Sequence, residues 1–550
     1  MFSYLENSFM QLDFKNSYRM QKILLFLAIV LFPISFLFFS RSFISGFSFY
    51  GQLSSIPVFF GLLLFLLSCF SQKPRKIILI LIATFSALYL FLVACISLHS
   101  MIEYAEVGSF DAASFGEFPK ILLLKNFLLA LGISNTAVLY SCLIFVKDML
   151  LGTKEIFFAF GFMFWIAFLY LEDGECVVQI VLKAILVDLI ILTPYIALEL
   201  LHLYGTCGGG ATALLKSINA FFYAPGEAPA FYPPIVSPNQ VRGTWMEPAY
   251  LAMWLSFATP FLIYKFFQNK TLSSGKAILL TVFFTALWSV WFLTYSRTAV
   301  ALIAVLFFLY LFFAILSRRR LEWKRLGYLI FSLFLAFSIV SNFGPAEFSK
   351  RGAIETQTSE SEKEITRVTE SELFKNTVES TVNPDSRSNP VRLEYIKCQW
   401  EIFKDHPLLG VGDTLAAPAV IKQFKEFQKP LTREAQWQVS FTEENGYFKS
   451  VVNSYPGSIL GCLSHRGIFG FIAMVGPLLL LGLLLFIHIL KTAPEDRDLP
   501  VCVFISCFSL FLTSLTFSSL SSFRIWCVAG IALGIILVTH IKKAKSEEML

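Results

Sequence analysis

Charge is what this sequence has least of. Only 15% of its 550 residues are Asp, Glu, Lys or Arg, where ordinary soluble domains carry about 25%. Histidine is rarer still, with 6 in the whole chain. The ten cysteines form no CxxC pair and no metal-ligand spacing, which excludes a zinc ribbon or a thioredoxin-like redox site. Most sit inside apolar runs (Cys69, Cys95, Cys142, Cys502, Cys507, Cys527) and read as small buried side chains. The first apolar run lacks a small-residue cleavage site, so the N-terminus reads as a retained span rather than a cleaved signal. No internal repeat is visible. The net charge of +6 comes from Lys and Arg clustered in short loops, a topology signal and not a nucleic-acid surface.

What the chain has is hydrocarbon. It is 56% hydrophobic, with a mean hydropathy of +0.68, and its apolar runs repeatedly reach the length of about 18 residues that reads as a membrane span. The expected fold is all-α: a polytopic transmembrane helical bundle of about 12–13 spans with one large periplasmic loop. The expected spans lie near 23–39, 54–70, 77–98, 121–146, 156–171, 177–201, 248–264, 277–295, 299–316, 326–341, 468–488, 499–520 and 525–541. They divide the chain into N-terminal membrane helices (1–201), a Gly/Pro-rich outer loop (202–246), central membrane helices (247–341), a large outer loop (342–466), and C-terminal helices with a cytoplasmic tail (467–550).

Orientation exposes an inconsistency. Lys15, Arg19 and Lys22 place the N-terminus in the cytoplasm, and a forward count of six spans then puts Arg242 inside. Counting back from Lys542, Lys543 and Lys545 through the cluster Arg318-Arg319-Arg320 puts Arg242 outside. One segment between 147 and 240 must be miscounted. Either 156–171 is a half-span or lies in the interface, or 177–201 is broken near Asp188 or Pro194, or 211–223 dips in and returns. The larger charge clusters favour the count from the C-terminus.

Polar residues then gather at one membrane face. Val241-Arg242-Gly243-Thr244-Trp245-Met246-Glu247-Pro248 leads into a span, with Pro248 suited to a first helical turn. Ser296-Arg297-Thr298 forms a near-loopless turn between two spans on the same side. In the large loop, 349–389 is polar and poor in apolar residues, whereas Val391 to Asp405 reads as a helix along the surface, ended by Pro407. Leu408-Leu409-Gly410-Val411-Gly412 follows as an apolar turn, and His465-Arg466 opens the next span. Arg297 has a snorkelling alternative, Glu247 an ion-pairing one, and Asp188 and Arg524 are further candidates for which the structural reading is preferred.

The ordered set Arg242-Gly243…Glu247-Pro248, Ser296-Arg297-Thr298-Ala299, Arg392…Trp400…His406-Pro407-Leu408-Leu409-Gly410-Val411-Gly412 and Gly467-Ile468-Phe469-Gly470 resembles the bacterial O-antigen polymerase and O-antigen ligase superfamily from about 240 to 490. The resemblance implies an inner-membrane glycosyltransferase that uses undecaprenyl-pyrophosphate-linked glycans at the periplasmic face, with no metal or nucleotide cofactor. Its expected partners are that glycan, membrane lipids, and a chain-length regulator or flippase. Ligases of the family carry a histidine about ten residues before the Gly-x-x-Gly motif. Here that region is Asn453-Ser454-Tyr455-Pro456-Gly457, which favours the polymerase branch over ligation to lipid A-core. A transporter of lipid-linked sugars is the alternative of another class. The chemistry asks for guanidinium forks on the anionic leaving group and an acceptor for the attacking hydroxyl's proton. The expected catalytic residues are Glu247, Arg242 and Arg297. Arg242, Arg297, Arg392, His465 and Arg466 are the expected pyrophosphate or glycan contacts, with a base role also open to His465.

Overall fold

The computed structural model describes residues 14–33, 53–71, 73–107, 119–204, 209–222, 240–245, 248–267, 274–317, 320–343, 389–427, 431–445, 458–515 and 519–548. Glu247, the Asn453–Gly457 stretch and the polar insert 349–388 lie outside them. Among the described residues the chain is helical and contains no strand. The N-terminal helices are α1 (Phe14–Val30), α2 (Ser55–Ser71), α3 (Lys73–Val107), α4 (Pro119–Ala130), α5 (Thr136–Glu155), α6 (Phe162–Leu203) and α7 (Gly210–Phe222). The central group is α8 (Pro248–Phe267), α9 (Ser274–Leu293), α10 (Arg297–Ser317) and α11 (Arg320–Phe343). The extramembrane helices are α12 (Asn389–Asp405), α13 (Ala416–Glu426) and α14 (Arg433–Asn445). The last four are α15 (Ser458–Met474), α16 (Gly476–Lys491), α17 (Asp498–Thr513) and α18 (Phe523–Glu548).

Among the described residues, seven stretches of helix are long and apolar enough to cross a membrane. Large apolar side chains stand exposed along these helices, among them Phe91, Ile278 and Phe334, as expected where lipid replaces water. Aromatic side chains fill the interior: Phe32, Phe158 and Phe162 all pack on Phe523, and Phe160 on Trp526.

The helix between Thr136 and Glu172 removes the orientation conflict. Helix α5 does not end near 147. It continues through a π-helical stretch, Ile156–Gly161, directly into α6. The break comes at Asp173, whose backbone (φ −159°, ψ 80°) leaves the helix. Lys22 pairs with Asp173 at 3.1 Å, so this break lies beside the charged start of α1. At the far end of α6, Glu199 accepts the Gly243 N–H, and Thr244 donates to the Pro33 carbonyl past the end of α1. Helix α18 packs along α6 in the same direction as the stretch before the break, with Gly530 against Ile166 and Gly534 against Tyr170. The chain therefore runs from Thr136 to Glu172 in one direction and returns from Asp173 to Leu203. The expected spans 121–146 and 156–171 are not two passes. Arg242, beside Glu199, therefore lies at the end of α6 away from the Lys22–Asp173 pair, the arrangement the C-terminal charge count expects. Lys147, Asp148, Lys154 and Glu155 look like a loop in the sequence, yet Asp148 and Glu155 are buried and hydrogen-bonded within the helix bundle.

A second structural device joins the extramembrane segment to the bundle. Helix α15 breaks at Gly467 (φ 62°, ψ −168°). The N–H groups freed by the break are taken up by the chain after α12: Ile468 donates to the Pro407 carbonyl at 2.8 Å and Phe469 to that of Leu408 at 3.3 Å. In return Val411 donates to the Ser464 carbonyl at 3.2 Å and Gly412 to that of His465 at 2.7 Å. The two glycine motifs, far apart in sequence, form one interlock. A Cβ at Gly467 would lie 2.2 Å from the Leu408 carbonyl carbon, and one at Gly410 would lie 2.3 Å from that of His465. Both glycines also need positive φ (66° at Gly410). Gly467→Ala is therefore expected to separate the 407–412 segment from α15. The measurement is a thermal melt in detergent, in which Gly467→Ala falls well below wild type while Gly482→Ala, with open space at its Cβ, stays close to it.

Candidate functional site

Two polar clusters occupy the end of the bundle opposite the Lys22–Asp173 pair. The first surrounds Arg466, directly before the break in α15. Its Nε donates to Asp413 Oδ2 at 2.8 Å and its Nη1 to Glu155 Oε2 at 2.8 Å and to the Tyr89 hydroxyl at 2.9 Å. Its Nη2 donates to Glu155 Oε1 at 2.7 Å and lies 2.7 Å from Asp413 Oδ2. Tyr89 in turn donates to Glu155 at 2.7 Å. An arginine has five N–H groups; four of them donate hydrogen bonds here, and an ion pair holds Nη2 to Asp413 as well. The expectation of a phosphate contact at Arg466 meets a side chain already committed to two carboxylates.

Asp413 follows Gly412, and the interlock sets its position. Burial by itself raises its carboxyl, but Arg466 and then His465 outweigh that and hold it well below the usual carboxylate range. His465 points its Nδ1 at Asp413 Oδ1, 3.5 Å away, and its buried Nε2 has no hydrogen-bond partner. Asp148 closes the cluster: its Oδ1 accepts from the Thr414 N–H at 3.1 Å and hydroxyl at 2.6 Å. Ser100 donates to the Val411 carbonyl.

The second cluster surrounds Arg242. The Val241 N–H donates to the Leu293 carbonyl at 2.9 Å, which fastens the Arg242 segment to the end of α9. Four residues on, Arg297 starts α10. The intervening turn is held by Tyr295 N–H to the Phe292 carbonyl and Thr294 Oγ1 to that of Trp291. Tyr295 adopts φ 44°, a conformation rare for a residue with a side chain. Arg242 is only 6% exposed. Its Nε faces Glu199 Oε1 at 3.9 Å, while Glu199 Oε2 accepts the Gly243 N–H at 2.9 Å. No hydrogen bond from the Arg242 terminal amino groups reaches another described residue. Gly243 turns the chain with φ 61°. Trp245 packs beneath, 6.1 Å from Trp254, with the Arg524 guanidinium 5.9 Å from its ring. Arg524 also donates to the Tyr250 carbonyl, and Trp254 to Asp188.

The structure thus brings Arg242 and Arg297 to one end through a shared turn, and places His465 and Arg466 in a cluster with Asp413. Arg392 lies on α12, which packs against α13, α14 and α15. Glu247 lies outside the described residues. Sequence reasoning passed over Glu199, Glu155, Asp148, Tyr89 and Asp413. Asp413 had a signal, as the residue directly after Gly410-Val411-Gly412. Glu199 had a weaker one, an acid near the end of an apolar run.

These features define a multi-pass helical membrane protein with its buried charges gathered at one end. Residues 279–475 match the O-Antigen ligase family model, which supports placing the chain in the O-antigen polymerase and ligase superfamily. The match spans Arg297, both halves of the interlock and the Arg466 cluster from Asp413 onward; Arg242 precedes it. No curated protein matches the chain. The match covers less than half of the chain and points to a membrane enzyme of the O-antigen ligase or polymerase type.

The depressed Asp413 carboxyl gives a pH test. A group held low in the folded state adds stability above its unfolded value, about 3.9, and loses it as pH falls toward the folded value. The stability difference between wild type and Asp413→Asn should shrink as pH falls below about 4. Denaturation in detergent above and below that pH checks it.

Proposed function

We propose that this protein is an inner-membrane glycosyltransferase that polymerises undecaprenyl-pyrophosphate-linked oligosaccharide repeats at the periplasmic face, with Arg242 and Arg297 holding the leaving pyrophosphate. The observation that carries this reading is the contrast between two buried arginines. Arg466 donates four hydrogen bonds, to Asp413, Glu155 and Tyr89, whereas Arg242 faces Glu199 on its Nε side and, among the described residues, makes no hydrogen bond from its fork. A fork of this kind accepts phosphate oxygens two at a time. In a site partly shielded from water it stabilises charge that grows as the leaving group departs.

In this mechanism the acceptor hydroxyl oxygen bonds to the anomeric carbon of the donor sugar. The bond from that carbon to the phosphate oxygen breaks, and its electron pair leaves on the lipid pyrophosphate. The hydroxyl proton passes to Glu247, beside Pro248 at the start of α8. His465 is the second reading for the proton acceptor, favoured by its unpartnered Nε2 and by the carboxylate at its Nδ1. Arg392, on an extramembrane helix, contacts the glycan. Glu199 positions Arg242: one carboxylate oxygen fixes the Gly243 backbone and the other faces the guanidinium. Arg466 acts at one remove, by holding Asp413 and so His465.

The polymerase reading is preferred because 453–457 contains no histidine, and transfer to lipid A-core is the alternative within the same chemistry. A transporter of lipid-linked sugars fits less well, because the polar clusters collect at one end and no related halves are visible. A chain-length regulator or flippase is the expected protein partner.

The test is complementation of a deletion strain, read by glycan size on a gel. Loss of a polymerase leaves acceptors bearing one repeat, and loss of a ligase leaves none. Arg242→Ala or Arg297→Ala should insert normally yet reduce polymerisation by about 10²–10³-fold, the scale for removal of one transition-state donor. Persistent ladders in both variants would exclude these arginines from the reaction. Glu199→Gln keeps an acceptor for the Gly243 N–H and should retain more activity than Glu199→Ala. Equal loss in the two would show that the backbone contact is not what matters.

A further inference from the structure

Helix α12 has two apolar faces, and the bundle uses only one. Val391, Tyr395, Cys398 and Ile402 are buried and pack with α13 and α14. At about 100° per residue, Leu393, Ile396, Trp400 and Phe403 form a second stripe on another side of the helix. Leu393, Ile396 and Trp400 are 40%, 42% and 47% exposed, and the Trp400 and Phe403 rings lie 5.4 Å apart. The charged residues Glu394, Lys397, Glu401 and Lys404 occupy the third side.

We infer that this stripe is a membrane-docking surface, seated in the headgroup–acyl boundary of the lipid bilayer on the Arg242 side. Continuity identifies the occupant. Pro407 and Leu408, just past the end of α12, are hydrogen-bonded to Ile468 and Phe469 of α15. Leu408 is exposed, as are Phe469 and Ile472 on the membrane-crossing stretch that α15 begins. The apolar surface thus passes from the extramembrane helix onto the lipid-facing side of a span. The composition matches that position: tryptophan favours the interface, and Lys397 and Lys404 at the polar side can reach headgroup phosphates while their stems lie along apolar surface. Docked in this way, α12 fixes the height of the 406–414 segment, and therefore of Asp413 and His465, relative to the membrane surface. The inference does not depend on the glycosyltransferase reading.

The test uses the full chain reconstituted in vesicles of phosphatidylethanolamine and phosphatidylglycerol. The photoreactive residue p-benzoylphenylalanine is placed singly at Ile396, Trp400, Lys397 or Phe469. After irradiation, adducts are identified by mass spectrometry. Lipid adducts at Ile396 and Trp400 should approach the yield at Phe469 and exceed that at Lys397 by about tenfold, as expected for one buried and one solvated helix face. Sites 396 and 400 lie about one turn apart, so either suffices if the other variant fails to fold. Three outcomes would overturn the inference: adducts to peptides from 344–388, cross-linked dimers, or lipid yields at 396 and 400 no higher than at Lys397.

Discussion

The interruption of one membrane helix by a left-handed glycine organises the polar end of this protein. At Gly467 helix α15 loses its own hydrogen-bond ladder, and the segment 407–412 enters to satisfy the freed groups in both directions. A buried backbone N–H or carbonyl without a partner is costly in a membrane, so the break and the inserted segment are stable only together. The insertion delivers Asp413 to Arg466 and His465. Arg466 in turn binds Glu155 and Tyr89, tying α15 to α3 and to the end of α5. The extramembrane region is thereby fixed to the bundle by a charged core and not by surface contacts alone.

Such a core is expensive to assemble. Moving ions out of water costs several kcal/mol each, and mutual attraction offsets this only where every hydrogen-bonding group is used. Arg466 comes close to that condition, with four hydrogen bonds and ion pairs to two carboxylates. Arg242 does not: Glu199 meets it on one side at 3.9 Å, and both Arg242 Nε and Glu199 Oε1 are buried without a hydrogen-bond partner. In physical terms the first arginine is a fastening, and the second has fewer partners among the described residues. The difference lies in how many acceptors the fold brings to each guanidinium, and it separates two residue types that are identical in sequence.

Helical membrane architecture and the helix that ends before Pro407 were legible in the sequence, because each follows from local composition: apolar length, charge scarcity and proline. Arg242 and Arg297 could be assigned to one face because charge clusters at the span ends carry topology. Buried acids were not legible. Asp148 and Glu155, with Lys147 and Lys154 beside them, have the look of a solvated loop, and reading them so split one helix into two and reversed the forward count. Their partners, Thr414 and Arg466, lie more than 250 residues away along the chain, where no local pattern could indicate them.

By itself, then, the sequence determined what depends on neighbours in the chain: a bundle of membrane helices and the glycines that allow sharp turns. Only the tertiary structure decided which charges face one another. It showed that two separate glycine motifs are halves of a single interlock, that Arg466 has more partners among the described residues than Arg242, and that Glu199 stands behind the latter. The reason is that electrostatic pairing in a medium of low polarity acts through space and is fixed by packing, whereas helix formation and membrane insertion are set along the chain.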